Sequence, residues 1–254
     1  MSNMSNISEK SVSSTTYKRL NFEDYFTICS ENYNRVPTDL DIVKYKFITY
    51  THGKHKHIAG YCVRFDEKRN CLQVILQQSV EKSDWITNFN FPAKIYDKFT
   101  FENKMIQLKV HRGWGNMWLA CQQAIREQIK TLLDLHPDCY IEVFGWSLGS
   151  GLAQLAAEDI YFKFGIKPYL YTYGSVKPFY GKDTYNFVKS CCKEAYNFYD
   201  WCDCVGYMVP FFGWKAINHV SVRLDDKFCI TKLFKPRIYH SKYHIAELYK
   251  EYNK

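Results

Sequence analysis

No stretch of this 254-residue chain stays apolar and uncharged over the length that a bilayer crossing needs. The longest candidate, 143–157, is interrupted by Gly145 and Gly149. The N-terminus lacks the basic start and apolar middle of a secretory signal. Residues 1–16 are rich in Ser and Asn and nearly devoid of apolar side chains, which predicts a disordered tail ahead of one domain over 17–254. Together these absences point to a soluble, cytoplasmic protein. Arg-rich runs alternating with aromatics are also missing, so the net charge of +8 reads as lysines scattered over a solvated surface. Nucleic acid is therefore not expected as a partner, whereas transient contact with an anionic lipid surface suits such a charge. Ten cysteines are present, but none are paired at the two-to-four-residue separation of structural zinc sites. Reduced thiols are the expected state. His52, His55 and His57 cluster, with His55 and His57 on one strand face, and no metal is assigned to them. No cofactor is implied.

What the chain does have is an ordinary globular composition, 46% hydrophobic and 24% charged, at a length suited to one sizeable core. Its 21 Tyr and 18 Phe suit either that core or a cleft for apolar groups. A first helix is expected over 21–32, with Phe22, Tyr25, Phe26 and Cys29 at helical spacing. Strand patterns follow at 45–51, 57–65 and 71–79, separated by turn residues, as in an antiparallel meander; 105–110 is a further candidate. From 115 to 135 the apolar period becomes helical, and His136-Pro137-Asp138 ends it. Beyond that, strands at 168–173 and 220–224 alternate with helices at 184–195 and 241–252, with a short apolar run at 196–199. This order predicts a single α/β domain: a mixed, mostly parallel central sheet with helices on both faces and antiparallel strands in its N-terminal part.

The most informative segment is Gly145-Trp146-Ser147-Leu148-Gly149. It lies between the strand-like 139–144 and the helix-forming 152–157. A serine held on a sharp strand-to-helix turn is exposed for attack, and glycines two residues either side avoid collisions with the neighbouring strand and helix. A serine hydroxyl needs a base to take its proton and an acid to orient that base. Candidate acids after Ser147 are Asp183, Asp200, Asp203, Asp225 and Asp226, and candidate bases are His219, His240 and His244.

Val110-His111-Arg112-Gly113-Trp114, the pentapeptide at 145–149 and Tyr173-Gly174-Ser175-Val176-Lys177-Pro178 together resemble the class 3 (fungal-type) lipase family. The resemblance covers about residue 45 to the C-terminus and implies an α/β-hydrolase fold. It also implies a Ser-Asp-His hydrolase of lipid carboxylic esters, either acylglycerols or phospholipids. Asp203-Cys204-Val205 with Pro210 downstream fits the family's acid segment, with Asp200 as an alternative. His240-Ser241-Lys242-Tyr243 fits its base segment, while His244 lies one turn further along. His219 resembles a non-catalytic family histidine. The implied oxyanion donors are the backbone N–H groups of Leu148 and Ser79. Three departures stand out: Gln78 and Ser150 replace glycines, and Trp146 replaces the usual histidine. A lid lies near 80–101 in the family, so Trp85, Phe89, Phe91, Tyr96, Phe99 and Phe101 belong either to an aromatic lid or to the core. Competing readings are a catalytically weak lipid-binding or interaction module, and a thioesterase, amidase or acyltransferase on the same triad.

Overall fold

The computed structural model describes residues 17–21, 24–26, 28, 46–52, 55–77, 79, 92–101, 104–200, 203–207 and 212–223. The expected tail at 1–16 and final helix at 241–252 lie outside them.

Among the described residues, two sheets form the frame. The larger has seven strands: β1 (Lys46–His52), β2 (His55–Asp66), β3 (Cys71–Leu76), β6 (Tyr140–Trp146), β7 (Tyr169–Tyr173), β9 (Glu194–Tyr199) and β11 (Val220–Arg223), in that spatial order. The first three pair antiparallel, as the meander pattern predicts. From β3 onward every pairing is parallel, each return being made through a crossover. β6 is buried at every residue, the signature of a central strand covered on both faces. The second sheet orders β10 (Trp214–Lys215), β8 (Phe179–Tyr180), β5 (Lys104–His111) and β4 (Ala93–Phe101), all antiparallel.

One face of the large sheet packs on helices α1 (Arg112–Leu135) and α2 (Leu148–Phe164). Trp114, Trp118, Cys121, Ile125 and Ile129 give α1 one buried stripe at helical spacing. α2 is buried almost all round, which its small residues permit between sheet and α1. The opposite face carries Phe144, Trp146, Tyr171, Tyr173 and Phe198, covered by Tyr25, Phe26 and Ile28 from helical residues 24–26 and 28.

Two expectations change. The helix over 184–195 is shorter, α3 (Lys182–Val188), because Lys193 N–H bonds the Pro168 carbonyl and brings 194–199 into register beside β7. The aromatic segment 80–101 divides: 93–101 is strand β4, with Phe99 buried against Phe162 and Phe187 at centroid distances of 5.4 and 4.6 Å. Phe99 is therefore core. Trp85, Phe89 and Phe91 lie outside the described residues.

Candidate active site

Ser147 joins the end of β6 to the start of α2 with φ 57° and ψ −126°, one of two non-glycine residues with positive φ among those described. A side chain held there costs about 1–3 kcal/mol of backbone strain and persists only where its surroundings enforce it. Those surroundings are identifiable. Ser147 N–H donates to the Tyr173 carbonyl at 3.0 Å, binding the turn to β7. A Cβ at Gly145 would overlap the Gly149 carbonyl. At Gly149 it would overlap the Leu76 carbonyl oxygen and sit 3.0 Å from that of Gln77. The first turn of α2 therefore lies directly against the end of β3, from which the chain runs toward Ser79. The N-terminal end of α2, with its partial positive charge, faces the Ser147 turn.

The loop after β7 adjoins this turn. Ser150, fully buried, donates its hydroxyl to the Ser147 carbonyl at 2.5 Å and accepts Val176 N–H at 3.1 Å. Gln154, one turn on, donates Nε2 to the Ser150 and Val176 carbonyls at 3.1 and 3.0 Å. Its Oε1 accepts Ile217 N–H at 2.7 Å. Sequence reasoning assigned neither residue a role. The available signal was a pair of polar residues in the otherwise small or apolar stretch 148–157 of α2.

Asp203 is buried and its Oδ1 accepts Val205 N–H at 3.0 Å, while its own N–H donates to the Asp200 carbonyl at 3.1 Å. This self-bonded turn leads into a 3-10 turn, Cys204–Tyr207. A Cβ on Gly206 would lie 3.3 Å from the Ser175 carbonyl oxygen, so the turn packs on the loop after β7. Asp200, Asp203, Ser175 and Lys177 line a cavity of about 190 Å³ at the carboxyl ends of β7 and β9. Burial, reinforced by the charge of Lys215, lowers the pKa of Lys177.

Of the other candidates, His219 is exposed, with Nε2 2.7 Å from the Lys189 carbonyl oxygen. It precedes β11, which runs parallel to β6 through β9 and β7, whereas Ser147 follows β6; the two lie at opposite ends of the strands. Asp183 is exposed in the first turn of α3. His111 is buried and stacked on Trp114 at 3.8 Å, its Nδ1 accepting Trp114 N–H at the start of α1. Trp146 turns to the far face of the sheet and packs edge-on to Phe26 at 5.2 Å. His240, His244, Asp225, Asp226 and Gln78 lie outside the described residues. The structure thus places Ser147, Leu148, Gly145, Gly149 and Asp203 at the carboxyl ends of the parallel strands, with Ser79 two residues beyond Gln77.

The profile of the family described as "Lipase (class 3)" matches residues 74–210, more than half of the chain, from within β3 to beyond the Asp203 turn. The chain belongs to the class 3 lipase family. A secreted mono- and diacylglycerol lipase of Fusarium solani is 31% identical over 165 residues, covering 64% of this chain and 46% of that protein. A secreted alkaline triacylglycerol lipase of Penicillium cyclopium is 27% identical over 120 residues, covering 46% of this chain and 39% of that one. The chain thus spans under half the length of either curated relative. Among solved structures, the Rhizomucor miehei triacylglyceride lipase superposes with a TM-score of 0.63 at 19% identity, over 80% of this chain and 79% of that one. At that identity the likeness establishes the α/β-hydrolase fold. The two curated relatives correct one expectation. Both are named as secreted, which points away from the cytoplasmic location inferred from the N-terminus. Folded-domain composition carries no address. Among the described residues, no helix is long and apolar enough to cross a membrane.

Proposed function

We propose that this class 3 lipase-family chain is a serine hydrolase of lipid carboxylic esters, with acylglycerols as the leading substrate class. Ser147 Oγ attacks the acyl carbon while His240 accepts its proton, and Asp203 orients the imidazole. The N–H groups of Leu148 and Ser79 bind the developing oxyanion. His240 then passes the proton to the departing alcohol, and a water activated by the same base releases the fatty acid. No cofactor enters this sequence.

The observation that carries the reading is the strained Ser147 backbone between β6 and α2, held by glycine contacts that leave room for nothing larger. The buried Asp203 turn beside the loop after β7 supports it, as do the activities for which the two relatives are named. The test is hydrolysis of p-nitrophenyl esters from two to sixteen carbons by wild type and Ser147→Ala. Loss of activity in the variant with a long-chain optimum in the wild type is expected. Equal background rates in both proteins, with no fluorophosphonate labelling of the wild type, would overturn the assignment.

Contact with a lipid surface is part of the proposal. Phe212 is 90% exposed beside Gly213, whose carbonyl accepts Gly181 N–H at 2.9 Å where β8 and β10 pair. Lys182 and Lys215 are exposed on the same pair of segments. An exposed ring flanked by lysines suits an anionic lipid–water boundary.

A further inference from the structure

We infer that Ser150 is a positioning residue for the oxyanion hole, holding the peptide that carries its principal donor. The inference rests on the hydrolase reading above and deepens it. The Ser147 carbonyl and the Leu148 N–H belong to one planar peptide unit, so a group that fixes the direction of the carbonyl also fixes that of the N–H. The Ser147 carbonyl accepts two bonds from one residue: Ser150 N–H at 2.9 Å and Ser150 Oγ at 2.5 Å. The backbone bond alone is the tight first turn of a helix. The hydroxyl adds a second anchor in a fully buried site.

That hydroxyl is in turn aimed by the rest of the fold. Having donated its proton to the Ser147 carbonyl, Oγ accepts Val176 N–H at 3.1 Å. Gln154 holds Val176 from its other side through the carbonyl at 3.0 Å, donates to Ser175 Oγ at 3.1 Å, and is itself fixed by Ile217 N–H. The loop thus fixed is the one on which Gly206 of the Asp203 turn packs. Through Ser150 and Gln154 the oxyanion peptide, the loop after β7 and the approach to β11 form one rigid unit. The Leu148 donor is therefore preorganised by a side chain that never touches substrate. The glycine that the family resemblance leads one to expect at 150 has no such hydroxyl, so this anchoring belongs to the present chain.

The inference predicts a transition-state effect without a binding effect. Ser150→Ala removes only the hydroxyl and Ser150→Gly the hydroxyl with its carbon, and neither adds bulk to the buried site. For both, kcat toward a p-nitrophenyl ester is expected to fall about tenfold with KM nearly unchanged, and fluorophosphonate labelling of Ser147 should slow in parallel. Outright removal of an oxyanion donor costs more, on the order of 10²–10³ in kcat, because here the donor is loosened rather than lost. Ile129→Val, a core change on α1 remote from the turn, serves as the control for stability alone; it should lower the melting temperature and leave both constants in place. Wild-type kcat and labelling rate in the two Ser150 variants would overturn the inference. So would a rise in KM at constant kcat, which reports lost ground-state binding. A wild type that neither hydrolyses esters nor takes up the phosphonate would overturn the hydrolase reading itself, and this inference with it.

Discussion

At position 147 a reactive side chain is presented by a backbone conformation that L-residues rarely adopt, and its neighbours show why it persists. The glycine spacing made this turn legible in the sequence, because the collisions it avoids, within the turn for Gly145 and against the adjoining strand end for Gly149, repeat wherever such a turn forms. Ser150 and Gln154 were not legible in the same way. Their tertiary partners Ser175, Val176 and Ile217 lie 21 to 63 residues away, and pattern reading sees only neighbours. Glu158 was hidden for the same reason. It is buried on α2 near Asp97 of β4, Asp159 of its own helix, Arg126 of α1 and the Cys191 thiol. Arg126 is already committed to Asp159 through Nε and Nη2, at 2.8 and 2.5 Å. Burial first, then the Asp159 and Asp97 charges, raise the pKa of Glu158 well above the ordinary carboxylate range, against a smaller opposing pull from Arg126. The stability contributed by its neutral form is complete below the unfolded-state pKa of about 4.3 and is lost as pH rises above it, at about 1.4 kcal/mol per pH unit until the folded-state pKa is passed. Glu158→Gln should therefore match wild type in urea denaturation near pH 4 and exceed it clearly at pH 8. A constant difference across that range would contradict this account.

Among elements, the mostly parallel character of the large sheet followed from the sequence because strands and helices alternate with recognisable periods. The covering of its far face did not. Glu142 interrupts β6 with a buried carboxylate, and its partners come from three separate places. Tyr17 and Tyr25 donate to Oε1 at 2.5 and 2.6 Å, Gln73 donates to Oε2 at 3.1 Å, and Arg69 spans both oxygens. Stacking of Tyr17 on Tyr169 and of Tyr25 on Tyr171, at 3.8 and 3.9 Å, completes the attachment of the N-terminal segment. Such a network is satisfied as a whole, so removing one member strands a charge. Arg69→Met should destabilise by about 3–5 kcal/mol, read as a fall in the urea midpoint. Adding Glu142→Leu should restore part of that loss, since the uncompensated carboxylate is then gone. A double variant less stable than the single one would refute this assignment of the cost.

Over the whole molecule, the second sheet was the least legible part. Its strands β8 and β10 are two residues each, too short to show any period, and β4 reads equally as core or lid because aromatic residues serve both. The cellular address was misread for a related reason: folding physics constrains the domain, not its destination. Phe212 acquires a meaning only at this scale, as an exposed ring beside Lys182 and Lys215 on the β8–β10 margin. Phe212→Ser should leave hydrolysis of a soluble two-carbon ester within about twofold and reduce hydrolysis of emulsified long-chain substrate severalfold. An equal loss on both would place the residue in the catalytic site rather than at the lipid boundary.

The position of β6 carries one more consequence. It is the fourth of seven strands, with neighbours bonded on both edges and buried side chains on both faces. Its amide protons can meet solvent only when the entire sheet comes apart, so they belong to the slowest class in hydrogen–deuterium exchange. The nucleophile is attached to this last-opening element. Fraying at β1 leaves the Ser147 turn strained and in place, so the turn should be lost only along the curve of global melting.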